Sequence, residues 1–170
     1  MNALDLLLVL FLREPIEVEQ FQVAQTDLRC MVANIWHEAR GEDELGWIKV
    51  AQTVRNRVKD SEFPTSPCDV IWAKGAFEWT AKIRTNHFNF KPEEVAKVES
   101  MIRISASALD GHFDGVINGS LHYYNPAKVT PCWETAFDDS IEHGNHRWLL
   151  NPNGTTPCWD KKVFASNSRP

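Results

Sequence analysis

Positive charge is in short supply here: 18 Lys and Arg stand against 23 Asp and Glu, a net charge of −5 over 170 residues. A partner held by phosphate neutralisation needs a basic face, so nucleic acid is not expected. A neutral or mixed-charge glycan remains open. Long hydrophobic runs are also lacking. The most apolar stretch, Leu4 to Leu12, is interrupted by Asp5 and falls well short of the ~20 residues that cross a bilayer. No stable membrane span is expected, and three readings of this stretch stay open: a packed or amphipathic helix, a weak membrane-contacting or export segment, or a disordered tail.

Several chemical motifs are missing. Neither G-x-x-x-x-G-K nor G-x-G-x-x-G occurs, so no nucleotide loop is expected. The metalloprotease pattern H-E-x-x-H fails, because His37-Glu38 is followed by Ala39, Arg40 and Gly41. No C-x-x-C pair occurs, and His143-x-x-His146 alone is a weak ligand pair. Metal and cofactor are therefore both expected to be absent, with a zinc amidase kept as a rival that chelator sensitivity would expose. No serine sits in G-x-S-x-G, and no cysteine sits at a strand–turn–helix elbow.

Cysteine is scarce but even in number: Cys30, Cys68, Cys132 and Cys158. Four cysteines allow three pairings. Cys132 and Cys158 lie in identical T-P-C-W tetrapeptides and form the favoured pair. Cys30 falls in a helical pattern and reads as a buried free thiol.

What the chain does have is aromatic mass. Seven Trp and nine Phe serve either a core or a stacking surface for sugars. Along the chain, residues 16–25 read as a polar connector. Thr26 and Asp27 offer a helix start, followed by Leu28, Met31, Val32, Ile35 and Ala39 at helical spacing. Gly41 offers a left-handed stop. A second helix is expected from Glu42–Glu44 to before Ser61, with Leu45, Ile48, Ala51, Val54 and Val58 as its buried stripe. Residues 64–90 read as loop, with an aromatic cluster of Phe77, Trp79, Phe88 and Phe90. Pro92 opens a third helix, ended by Gly111. Short strands follow at 121–124 and 147–150. Helices first and short strands later give an α+β layout of two lobes with a cleft between them.

The stretch Ile35 to Gly46, I-W-H-E-A-R-G-E-D-E-L-G, joins the first two helices. Glu38 lies three residues after Ile35 and seven after Met31, so it shares their inward face. A carboxyl that protonates a glycosidic oxygen near neutral pH needs a raised pKa, and desolvation is the usual means. Glu38 meets that requirement by position. Glu42 and Glu44 have a simpler explanation as first-turn acids.

The run Asn34 to Val58 resembles the start of the SleB-type cell-wall hydrolase domain. The matching parts are E-A-R-G-E at 38–42, Gly46, Val50-Ala51 and Asn56-Arg57-Val58. The resemblance continues through Phe63-Pro64, Cys68 to Ile71, Phe77, H-Y-Y-N-P at 122–126, Pro131 and Trp133, and G-N-H-R-W at 144–148. It implies a lysozyme-like or lytic-transglycosylase-like fold and cleavage of the N-acetylmuramic acid to N-acetylglucosamine bond of bacterial peptidoglycan. It also implies one essential acid, at Glu38, and anhydro-ended products, with a hydrolytic muramidase or a non-catalytic glycan-binding module as alternatives. Candidate substrate-binding residues are Glu42, Phe77, Trp79, Tyr123, Tyr124, Asn125, Trp133 and His146. Residues 1–25 are then an apolar segment and connector, 26–165 the catalytic domain and 166–170 a loose tail. The expected setting is a monomer acting on the cell wall, in the periplasm or outside the cell. Its makers would be a bacteriophage, as an endolysin or virion-associated lysin.

Overall fold

The computed structural model describes residues 19–154, with side chains from Thr26 onward. The apolar N-terminal stretch, the loose tail and Cys158 lie outside the described residues. Helix α1 runs Glu19–Ala39, so it begins well before the cap expected at Thr26–Asp27 and takes in much of the expected connector. Asp27 does cap a helix, but a different one: its carboxylate accepts the Cys68 N–H at 3.2 Å, in the first turn of α3 (Pro67–Trp72). Cys30, one turn further along α1, is disulfide-bonded to Cys68, which corrects its reading as a free thiol. The i, i+3 spacing of Asp27 and Cys30 sets both side chains against the same helix start. None of the described cysteines is free.

This bridge closes a loop with a sequence separation of 38. Cross-links of that span contribute about 4 kcal/mol through the unfolded chain. Cys30→Ser is expected to lower the melting temperature by about 8–16 °C, read by thermal denaturation of variant and wild type.

Helix α1 is the centre of the helical lobe. Cys30, Met31, Ala33, Ile35, Trp36 and Ala39 are all buried, and α2, α3 and α4 pack around it. It ends without a left-handed glycine, since the φ of Gly41 is not positive. The last carbonyl is satisfied instead by the Trp47 indole, which donates to Ala39 O at 2.8 Å, and by the Glu42 N–H at 2.9 Å.

Helix α2 spans Glu44–Lys59, capped by Asp43, which accepts the Gly46 N–H at 2.9 Å. Its apolar face is Trp47, Val50, Ala51 and Val54, while Leu45 is 41% exposed, contrary to the expected stripe. Polar residues on α2 are buried as well, because they grip the strand lobe. Asn56 Nδ2 donates to Ser120 O (3.0 Å), Arg57 Nε to Leu121 O (2.8 Å), and Thr53 Oγ1 accepts from Trp148 Nε1 (3.0 Å). Helix α4, Val95–Leu109, follows a 3-10 turn at Pro92–Glu94 and covers the other side of α1.

Strands β1 (Tyr123–Tyr124), β2 (Phe137–His143) and β3 (His146–Pro152) form an antiparallel sheet in the order β1-β3-β2. Tyr123 pairs with Trp148 and Tyr124 with Arg147. β2 and β3 form a hairpin turned by Gly144, at φ 54°, and Asn145. The sequence does not announce strand β2, because F-D-D-S-I-E-H is mostly polar; it is an edge strand with a largely wet face. No helix among the described residues is long and apolar enough to cross a membrane.

Candidate active site

The α1–α2 seam, the segment around Phe77–Ile83, the start of the sheet and the β2–β3 turn enclose an open cleft of about 620 Å³. Glu38 sits in it from the last turn of α1. Tyr123 Oη donates to Glu38 Oε2 at 2.8 Å. Burial pushes the Glu38 carboxyl above the usual carboxylate range. The Tyr123 hydrogen bond and the charges of Arg57 and Lys128 pull the other way, and Glu78 adds to the rise; burial wins. A position at a helix C-terminus, the negative end of the dipole, works in the same direction as burial. The Tyr123 phenol is itself held well above its ordinary value, by burial and then by the neighbouring Glu38 charge. Tyr123 therefore acts as a fixed hydrogen-bond donor.

Arg57 lies beneath this pair. Its guanidinium is 5.1 Å from the Phe77 ring centre and 5.5 Å from that of Phe63, a cation–π setting. The N-R-V segment thus serves two purposes: Asn56 ties α2 to the strand lobe, and Arg57 places a buried positive charge near Glu38 and Tyr123.

Glu42 brings a second carboxylate to the site, its side chain only 5% exposed. Its Oε1 lies 2.8 Å from His146 Nδ1 and accepts the Asn145 N–H at 3.1 Å. The His146 ring packs edge-on against Tyr123, with centres 5.0 Å apart. Burial lowers the His146 pKa, opposed by Glu42. A line of contacts therefore runs Glu42, His146, Tyr123, Glu38. The carboxylate is also squeezed between glycines. A Cβ on Gly46 would lie 2.4 Å from Glu42 Oε2, and one on Gly144 2.8 Å from the same atom. The glycine four residues past E-A-R-G-E is thus required by the passage of Glu42 over it.

Of the candidate binding residues, Glu42, Phe77, Trp79, Tyr123, Tyr124, Asn125 and His146 all line the cleft. Phe77 and Trp79 belong to core and wall at once, only 4% and 7% exposed. Trp79 donates to Asn34 Oδ1 at 2.9 Å, and His37 stacks on its ring at 4.5 Å between centres. Tyr124 reaches the cleft with its hydroxyl engaged by Glu134 and Arg147. Trp133 is the exception. It packs on His122 and Tyr124, at 5.9 and 5.8 Å between ring centres, and does not line the cleft.

Sequence reasoning did not select His37, Glu78, Lys82, Ile83, Lys128 and Val129, which also line it. Only adjacency gave a hint: His37 precedes Glu38, Glu78 stands between Phe77 and Trp79, and Lys128 follows H-Y-Y-N-P-A. No group of His, Cys, Asp and Glu among the described residues is arranged to hold a metal ion.

Comparison with known proteins extends this picture. The model of the Cell Wall Hydrolase family matches residues 41–149. That match starts just past Glu38, whereas the motifs of the resemblance run from Asn34 to Trp148. A spore cortex-lytic enzyme of Bacillus cereus is 31% identical over 110 residues, covering 65% of this chain and 39% of the relative. That of Bacillus subtilis is 28% identical over 116 residues, covering 65% and 33%. The chain thus matches less than half the length of these curated relatives. The crystal structure of the catalytic domain of the Bacillus cereus SleB protein superposes with a TM-score of 0.60 at 25% identity, over 74% of this chain and 91% of that one. The catalytic domain of the germination-specific lytic transglycosylase SleB from Bacillus anthracis gives 0.60 at 26% identity, over 74% and 95%. The chain belongs to the cell wall hydrolase family and has the α+β, lysozyme-like fold of the SleB catalytic domain.

Proposed function

We propose that the protein is a peptidoglycan glycosidase that cleaves the N-acetylmuramic acid to N-acetylglucosamine bond as a lytic transglycosylase, with Glu38 as its acid and base. The observation that carries this reading is a half-buried carboxyl, biased toward its protonated form and oriented by Tyr123, within an open cleft. In the proposed step the bond from muramic C1 to the bridging O4 breaks and Glu38 gives its proton to O4. The muramic 6-hydroxyl then bonds to C1 and returns its proton to Glu38. One carboxyl suffices, and no water is consumed.

A hydrolytic muramidase is the second reading, and Glu78 favours it. This second acid lines the cleft and acts on Glu38 through its charge, although Lys82 pairs with it at 2.7 Å. Two-carboxylate schemes use such a partner to activate water. Mass spectrometry of muropeptides released from purified sacculi separates the readings. Transglycosylation is expected to give 1,6-anhydromuramic ends, lighter by one water than reducing ends. Reducing ends alone would establish hydrolysis, and no release would leave a glycan-binding module.

The Cys30–Cys68 disulfide fits work outside the reducing cytoplasm, at the cell wall. The physiological setting we propose is bacteriolysis by a monomer, as an endolysin or virion-associated lysin. Culture lysis that requires a coexpressed membrane-permeabilising protein would support the endolysin role.

A further inference from the structure

Among the described residues, each charged side chain lining the cleft is engaged by a protein partner except one. Lys82 bonds Glu78 at 2.7 Å. Glu42 faces His146 at 2.8 Å. Arg57 is buried, faces the rings of Phe63 and Phe77, and donates to Leu121 O at 2.8 Å. Lys128 is exposed on the cleft wall, and no ion pair or hydrogen bond from another described residue engages its ammonium. Its position is fixed by the tight turn after β1. There the Lys128 and Val129 N–H groups both donate to Asn125 O, at 3.0 and 3.1 Å, and the Ala127 N–H donates to Asn125 Oδ1 at 2.9 Å. Lys128 lines the same cleft as Glu38, Glu78 and His146.

An acidic protein that must hold an acidic polymer needs a cation at the point of contact. Peptidoglycan carries carboxylates in two places: on its peptide stems, and on the lactyl group of muramic acid once the stem is removed. We propose that Lys128 is a specificity residue that binds a carboxylate of the glycan strand beside the scissile bond, so that charged strands are selected over neutral ones. This rests on the peptidoglycan reading given above.

Binding to sacculi, measured by co-sedimentation in the Glu38→Gln background, tests it without depending on turnover. Adding Lys128→Gln is expected to weaken binding to native sacculi about fivefold, the scale of one exposed ion pair. Lys128→Arg should restore it, and added salt should erase the difference. Carbodiimide amidation of the sacculi should weaken Glu38→Gln by the same factor and leave the double variant unchanged. Amidase-stripped strands separate the sources: dependence on Lys128 that persists there assigns the lactyl carboxylate, and dependence that vanishes assigns the stem. An equal loss on native and amidated sacculi, no loss on either native sacculi or stripped strands, or no binding at all would overturn the proposal. Failure of the glycosidase reading shows elsewhere, as wild-type protein that binds sacculi but releases no muropeptide.

Discussion

Glu38→Gln is expected to cut muropeptide release by about a thousandfold or more while leaving the fold intact. General acid–base catalysis by a positioned side chain contributes about 10²–10⁴-fold, and here one group is proposed to serve both halves of the reaction. The same variant should not lose stability. Burial raises the Glu38 pKa above its unfolded value, so the folded state binds this proton more tightly than the unfolded chain. The stabilisation is fully present below the unfolded carboxylate pKa and is lost as pH rises through the folded one. Gln imitates the neutral acid and does not titrate. Its melting temperature should match wild type near about pH 4 and exceed it by about pH 8. Activity should follow the same proton: the alkaline limb of the wild-type profile should lie above the ordinary carboxylate range. Tyr123→Phe removes a hydrogen bond that favours the charged carboxylate, so it should move that limb to still higher pH. Substantial release by Glu38→Gln, or a limb at the ordinary carboxylate position, would remove Glu38 from its role.

Local signals in the sequence were enough to place Glu38. Its helix face follows from Met31 and Ile35, and both lie at 1% exposure or less. The span of α2 and the helix after Pro92 were equally legible, because an acidic first turn, an apolar period and a terminator agree there. Where the structure departs, a tertiary partner decides. Asp27 has the chemistry of a cap but spends it on Cys68, which is adjacent in space and not in sequence. Cys30 has an apolar helical setting that says nothing of the cysteine brought opposite it. Ala39 O is closed by an indole from the next helix and so needs no glycine. Gln52 and Arg57 look like solvent-facing residues by type, yet α2 has a second buried face against the strand lobe. Trp133 has the composition of a sugar platform but packs against His122 and Tyr124 and does not line the cleft. Strand β2 pairs through its backbone, and its side chains carry little alternation to announce it.

Glu42→Ala should damage both stability and activity, which separates a brace from a surface acid of the first turn. The carboxylate joins the α1–α2 seam to the β2–β3 turn through the Asn145 N–H and His146. Removing the carboxylate leaves the buried His146 imidazole without its partner, which costs about 1–3 kcal/mol. For a domain of this size that is a fall of roughly 2–12 °C in melting temperature. The imidazole released by the change is the one packed on Tyr123, so Tyr123 loses a wall and its aim at Glu38 loosens. A misplacement of about 1 Å near the reacting atoms is worth about a hundredfold in rate. Gly46→Ala approaches the same brace from the other side. Its new Cβ would lie 2.4 Å from Glu42 Oε2 and 2.9 Å from Glu42 Cβ. The carboxylate end could swing away from such a contact, but its stem in the preceding turn cannot. Gly46→Ala should therefore lower activity with Glu42 still present, whereas an alanine at Gly41, where a Cβ meets nothing within 4 Å, should leave the melting temperature unchanged. Thermal melts and muropeptide release on the three variants measure this directly. A Gly46→Ala protein as active as wild type would mean that Glu42 is free to move and that His146 holds Tyr123 without it.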